Sequence, residues 1–334
     1  MTNFVVFTDI QYHYNYPKSY MTEEGISSWF QTQLVITDTI FDYCYANEVP
    51  FVFFLGDLFE NKSNISVSLY NRVWELFYKH SRNIHIIMNT GNHDLYSQYE
   101  SSLKPFSMLA KVISNPTDLT VEDIHARIIP FGRISGNLEL PKNNKTNILF
   151  LHENIAGLKM GTNDYTLASP IKKELLSEWD LVFNGHIHKP QTMGNIINVG
   201  SPMIQDWSEA QDKKRFIHYK DGKVISVPIN CPKFIHFDKL TDKVRNKIEK
   251  NDRDYFRIDV DSSFVGDPIF KKWNCFYNIV KSKKREIRLK QTDNIEDELV
   301  EYIKLKNPKL DHDKLLKIGK ELANESSSGT QDNI

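Results

Sequence analysis

The sequence predicts an α/β fold, with a layered domain over residues 1–230 followed by a small α+β module and C-terminal helices. Three observations lead there. Short apolar runs rich in Val, Ile and Phe recur through the first 230 residues, and they end in Gly, Asp, Asn or His. Stretches of helical period lie between the first of these runs. Beyond about residue 231 the apolar residues thin out and the charge rises.

Strands are predicted at 4–7, 51–55, 84–88, 126–130, 147–151, 181–183, 196–199 and 216–219, where short branched or aromatic runs meet turn formers. Between the first two, Ile26, Trp29, Phe30, Leu34, Ile40, Phe41 and Cys44 recur near a period of ~3.6 and predict a helix. Leu69, Tyr70, Val73 and Trp74 repeat that pattern over 67–77. Strand–helix–strand units of this kind imply a buried, partly parallel sheet. The small module is expected over 231–291, with an alternating strand at 255–260 and an amphipathic helix at 240–248. Residues 292–323 are expected to form two helices, one from Ile295, Leu299, Tyr302 and Ile303, the other over 315–322 with Asp311 as its cap. Pro308 separates them. The Ser-rich tail 324–334 is expected to be disordered.

The chain has 334 residues, 40% hydrophobic and 25% charged, enough for one large domain and one smaller one with a substantial core. A net charge of -1 excludes a globally basic nucleic-acid binder, so any such surface is local or supplied by metal ions or a partner. Cys44, Cys231 and Cys275 are odd in number and far apart, which points to thiols in a reducing compartment rather than a disulfide framework. The run 4–7 is too short for a signal-peptide core and lacks a basic start. No apolar stretch approaches the ~20 residues that span a bilayer. A cytoplasmic protein is expected, in the host cytoplasm if it is viral, with no membrane association.

The polar groups at the strand ends carry the chemistry. Asp9 follows the first strand and Gly56-Asp57 the second. Gly91-Asn92-His93-Asp94, His152 and Gly185-His186-Ile187-His188 follow three more. One such group is ordinary, since a lone His is usually structural and a lone Gly-Asp is usually a turn. Five in series are informative, because the carboxyl ends of parallel strands share one edge where ligands bind. Asp, Asn and His together offer hard oxygens and imidazoles, which suit Mn2+, Fe or Zn better than Ca2+. There are enough for two ions, with Asp57 able to bridge them. His93 is placed to contact a phosphate or to protonate a leaving oxygen.

Asp9-Ile10-Gln11, Gly56-Asp57-Leu58-Phe59, Gly91-Asn92-His93-Asp94, His152-Glu153 and Gly185-His186-Ile187-His188 resemble the five motifs of calcineurin-like metallophosphoesterases. The resemblance implies a two-sheet α/β sandwich with a small capping domain, C-terminal helices and a di-metal centre. Within that family the chain is most similar to Mre11/SbcD-type nucleases and their bacteriophage counterparts. The specific hints are Gly56-Asp57-Leu58-Phe59, the later Gly200-Ser201-Pro202 with Glu209 and Lys214, and the domain layout. By resemblance, Asp9, Gln11, Asp57 and His188 would hold one metal, and Asp57, Asn92, His152 and His186 the other. Two Mn2+ ions are expected, with Mg2+ as the alternative. His93 would be the catalytic histidine and Asp94 its orienter. The expected partners are DNA and a Rad50/SbcC-like ATPase held by the C-terminal helices, and the chain could form a homodimer through 65–78.

Two residues depart from the family pattern. The first motif usually reads Asp-x-His, whereas here residue 11 is Gln. Its amide oxygen can still ligate, though more weakly, or His13 could reach in instead. Glu60 stands where the nuclease subfamily often has a His associated with exonuclease action. Tyr12, Tyr14 and Tyr16 could stack on bases or pack within their loop. The basic run at 281–290 could touch DNA phosphates or be a solvated surface. A stand-alone phosphatase or small-molecule phosphodiesterase, and a scaffold with a degenerate metal site, remain as competing functions.

Overall fold

The computed structural model describes residues 2–97, 99–135, 138–141, 143–161, 165–166, 168–280, 295–306 and 311–328. The chain divides into two compact units, Met1–Asn278 and Ile279–Ile334.

In the first unit β1 (Asn3–Phe7) leads to α1 (Ser28–Ala46), β2 (Phe51–Phe54), α2 (Val67–Ser81), β3 (His85–Asn89) and β4 (Lys111–Ile113). Then come β5 (Thr117–Val121), β6 (Ile124–Ile129), β7 (Thr146–His152) and the small hairpin β8 (Lys159–Met160) and β9 (Tyr165–Thr166). β10 (Leu181–Gly185), β11 (Gln191–Met193), β12 (Ile196–Asn198), β13 (Arg215–Lys220) and β14 (Lys223–Pro228) complete the large domain. β15 (Phe234–Phe237), α3 (Asp242–Glu249), β16 (Tyr255–Val260) and β17 (Cys275–Ile279) form the small module.

Two six-stranded mixed sheets face each other, in the orders β14-β13-β1-β2-β3-β4 and β11-β12-β10-β7-β6-β5. The continuous apolar strands are explained by burial on both faces. In β1, Phe4 and Val6 enter the core between the sheets, while Val5 and Phe7 enter the core under α1 and α2. Across the inter-sheet core the Phe53 ring stacks on Phe150, with centroids 4.2 Å apart. Helix α1 buries Trp29, Phe30, Gln33, Ile36, Thr37, Ile40, Phe41 and Cys44, the stripe its periodicity predicts. The outer face of the second sheet is covered by loops instead, with Trp179, Leu176 and Leu158 packed on Leu149, Leu151 and Val182.

All eight predicted strands of the large domain are present, with ends shifted by at most two residues. β5, β11 and β14 escape a sequence reading because they are edge strands with little to bury, as the exposed run Lys223–Pro228 shows. Tyr12, Tyr14 and Tyr16 pack inward. Tyr12 donates its hydroxyl hydrogen to Thr37 at 2.6 Å, Tyr14 meets Phe30, and Tyr16 stacks on Trp29 at 3.9 Å. Tyr16 also touches Phe234 and Tyr255 of the small module, so these rings join core to module and do not form a free base-stacking platform.

In the second unit α4 (Ile295–Lys306) and α5 (His312–Ser328) pack on each other. Gly319 permits the approach, since a Cβ there would lie within 3.2 Å of Leu299 Cδ1. Asp311 caps α5 by accepting from the Asp313 amide at 3.0 Å. The expectation of a disordered tail from residue 324 is corrected over 324–328, because α5 continues to Ser328. Its helical ladder outlasts the Ser-rich composition that suggested a break. The basic run 281–290 lies outside the described residues. No helix among the described residues is long and apolar enough to cross a membrane.

Candidate metal centre

β1, β2 and β3 run parallel, as do β7 and β10, so their carboxyl ends bring the polar residues together. Past the sheet the chains leaving β1 and β2 stay bonded rung by rung. Asp9 N donates to Gly56 O at 3.0 Å, Gln11 N to Asp57 O at 3.1 Å and Tyr12 N to Leu58 O at 2.8 Å. This pairing holds three non-glycine residues in the left-handed region, Asp9 at φ 53°, Gln11 at 47° and Asp57 at 60°, and His186 joins them at 75°. Such backbone is costly and persists where the surroundings over-determine it, typically at functional sites.

Of the nine sequence-predicted residues, eight gather at one cleft: Asp9, Gln11, Asp57, Asn92, His93, His152, His186 and His188. On one side lie Asp9, Gln11 and His188. Asp9 Oδ1 is buried without a hydrogen-bond partner, and His188 Nε2 stands 3.9 Å from it. Gln11 Nε2 is 3.5 Å from Asp57 Oδ2, so the amide faces the centre, and a flip brings its oxygen to the same place. On the other side His152 Nε2 lies 3.2 Å from Asp57 Oδ2 and 3.1 Å from Asn92 Oδ1, while His186 Nδ1 is 2.7 Å from Asn92 Oδ1. Ligand atoms of Asp57, His152 and His186 all fall within 4.8 Å of one another. Asp57 is thus common to both groups. His13 lines the cleft, but its Nδ1 turns back to the Gln11 carbonyl at 2.8 Å and its ring packs near Trp29.

Close approach makes glycine necessary at two points. A Cβ on Gly91 would lie 2.6 Å from Asp57 N and 2.8 Å from His152 Cε1, and one on Gly56 would lie 2.5 Å from Gly91 N. Asp94, expected to orient His93, is turned elsewhere. Its buried carboxylate accepts from Asp57 N and Gly91 N at 2.8 Å and from Leu58 N at 3.0 Å. It therefore ties together the two loops that carry Asp57 and Asn92. Residue 94 follows the turn of that loop and points under it, a direction that adjacency in sequence does not reveal. His93 is oriented from the other side, donating from Nδ1 to the Glu60 carbonyl at 2.6 Å.

Burial raises the Asp9 carboxyl, with His152 opposing and Asp57 reinforcing. Burial would raise Asp57 too, but His152 and His93 hold it well below the carboxylate range. Burial opposes a charged His152, yet Asp57 and Asp9 push it up to about 10. Burial and the neighbouring His152 push His186 down to about 4. Among the described residues no Lys or Arg pairs with Asp9 or Asp57. Two buried carboxylates, one oxygen of them unpartnered, with imidazoles and amides but no Lys or Arg among the described residues beside them, fit a pair of divalent cations.

Glu209, Ser201, Gln205 and Lys214 surround His188 from behind. Sequence reasoning noted Glu209 and Lys214 only as marks of resemblance. Nothing local separates Glu209 from Asp206 or Asp212, and only tertiary packing sets it against an imidazole.

The profile of the family described as calcineurin-like phosphoesterase matches residues 2–190. Among curated proteins no sequence matches the chain. Similar solved structures include a novel archaeal phosphodiesterase at 11% identity, covering 68% of this chain and 100% of that one with a TM-score of 0.34. A Pseudomonas putida nuclease MPE shares 13% identity over 67% and 87% of the two chains, TM-score 0.30. A dimetal phosphatase from Danio rerio shares 11% over 69% and 99%, TM-score 0.42.

Proposed function

Because the chain belongs to the calcineurin-like phosphoesterase family, we propose that this metal-dependent phosphoester hydrolase is a two-metal DNA nuclease working with a Rad50/SbcC-type ATPase. The observation that carries the chemistry is Asp57, shared by two ligand groups on a cleft of about 380 Å3 with His93 on its wall. Asp9, Gln11, Asp57 and His188 would hold one ion, and Asp57, Asn92, His152 and His186 the other. Bound there, the ions would supply an activated water and charge for the phosphoryl oxygens.

The chain's own residues do the rest. The Glu60 carbonyl accepts the Nδ1 proton of His93, which leaves Nε2 as the other ring nitrogen, from which the doubly protonated ring would hand a proton to the leaving oxygen. Asp94 fixes the spacing of the loops that carry Asp57 and Asn92. The neutral Gln11 makes its group the weaker one and favours Mn2+ or Mg2+ over softer ions.

Support for DNA as substrate comes from the Gly56-Asp57-Leu58-Phe59 motif and from the module and helices beyond residue 230, which a small substrate does not need. Support for the ATPase comes from the α4–α5 pair, which keeps Ile318 46% exposed. A homodimer through residues 65–78 and a cytoplasmic setting complete the proposal.

The test is Mn2+-dependent cleavage of linear single- and double-stranded DNA beside Asp57→Asn. Cleavage that vanishes in the variant is expected. If an aryl phosphodiester is hydrolysed and neither DNA is cut, even with the ATPase added, the nuclease reading fails in favour of a small-molecule phosphodiesterase. Removal of 295–334 is expected to spare aryl phosphodiester hydrolysis and abolish ATPase capture, and capture that persists would place the partner surface elsewhere.

A further inference from the structure

Three histidines are offered as ligands, and their rear partners differ. His152 Nδ1 donates to the Leu55 carbonyl at 2.7 Å, a neutral acceptor. His186 presents Nδ1 to the centre itself, beside Asn92 Oδ1. His188 instead donates from Nδ1 to Glu209 Oε1 at 2.7 Å, leaving Nε2 turned toward the unpartnered Asp9 Oδ1. The Glu209 carboxylate is itself fixed. Its Oε2 accepts from Lys214 Nζ at 2.7 Å, Gln205 N at 3.0 Å and Ser201 Oγ at 3.4 Å. Lys214 Nζ is fully buried and also reaches Ser201 Oγ at 2.9 Å, His188 O at 3.0 Å and Asp212 Oδ2 at 3.3 Å. A lysine whose three N–H groups all meet acceptors cannot swing away, so it holds Glu209 in place.

We propose that Glu209, locked by Lys214, is the positioning residue that sets metal affinity at the Asp9–His188 side of the centre and offsets the neutral Gln11 there. This rests on the two-ion reading above. A charged acceptor behind a ligand imidazole fixes its tautomer, holds the ring in plane and raises its basicity. Gln11 contributes no imidazole to this side. Among the described residues, the only charge-assisted support behind a ligand histidine falls on the side where residue 11 is Gln.

The experiment is Mn2+ titration by calorimetry and electron paramagnetic resonance, comparing the unaltered chain, Glu209→Gln and the pair Glu209→Gln with Lys214→Met. The pair removes the lysine charge that the single variant leaves buried, so a folding defect and a ligand effect separate. The unaltered chain is expected to bind two ions. Both variants are expected to lose about 10–100-fold in affinity for one ion and keep the other, with the coupled-pair spectrum gone. In the protein without metal, 15N shifts of His188 are expected to show the Nδ1–H tautomer, mixed in Glu209→Gln. Two ions bound at unchanged affinity in a folded variant, or both weakened equally, would overturn the proposal. Fewer than two ions on the unaltered chain would instead bring down the two-ion reading beneath it.

Discussion

The Glu60 carbonyl accepts the Nδ1 proton of His93 at 2.6 Å, so Glu60 orients the candidate catalytic histidine through its backbone. The Glu60 side chain is exposed and takes no part in that bond. Glu60→Ala is expected to leave turnover of an aryl phosphodiester within about twofold, as for an ordinary surface change. His93→Ala is expected to cost ~10²–10⁴-fold in kcat while two ions still bind. Normal turnover in His93→Ala would remove the histidine from the mechanism.

Gln11 places a neutral amide 3.5 Å from Asp57 Oδ2. Gln11→His is expected to lower the Mn2+ concentration for half-maximal hydrolysis, because an imidazole is the stronger donor. Calorimetry of the same variant should show the tightening in one of two sites. An unchanged Mn2+ requirement would show that residue 11 is not a ligand.

Asp94 satisfies three backbone amides at once, those of Asp57, Leu58 and Gly91. Asp94→Ala strands them in the interior and is expected to cost about 3 kcal/mol or more in urea unfolding. Gly91→Ala acts by volume instead, pressing on Asp57 N and His152 Cε1. It is expected to abolish metal binding while the far-ultraviolet circular dichroism stays the same. Retained tight binding in Gly91→Ala would mean that the loops can part without cost.

The small module carries a pH-dependent tie. Arg245 donates to both oxygens of Asp267, at 2.8 and 2.6 Å, and the Ile269 amide adds a third bond at 2.9 Å. These bonds hold the Asp267 carboxyl down at about 2 against an ordinary 3.8. A depressed carboxyl contributes stability that is full above its unfolded value and is lost as pH falls toward its folded one. Urea midpoints of the unaltered chain are therefore expected to fall more steeply between pH ~4 and ~2 than those of Asp267→Asn. Parallel curves would show that the pair contributes nothing.

Local sequence made much of this protein legible. Strand β1 is visible because Phe4, Val5, Val6 and Phe7 are buried on alternate faces, and α1 because Trp29, Phe30, Phe41 and Cys44 recur on one stripe. The strand-end motifs could be assembled because parallel strands bring their carboxyl ends to one edge whatever the sequence between them. Strand β14 was hidden by its exposure, and the helical turns over 324–328 by a composition that favours disorder.

The sequence by itself determined the types and order of the candidate ligands and the glycines that let the loops meet, because these follow from residue chemistry and strand period. The tertiary structure alone decided which way each side chain turned. Asp94 points beneath its loop to three amides, His13 turns its Nδ1 back to the chain, and Glu209 with Lys214 arrives behind His188 from a separate segment. Such partners are set by the packing of distant segments, and no local period or propensity encodes a direction that depends on what lies across the gap.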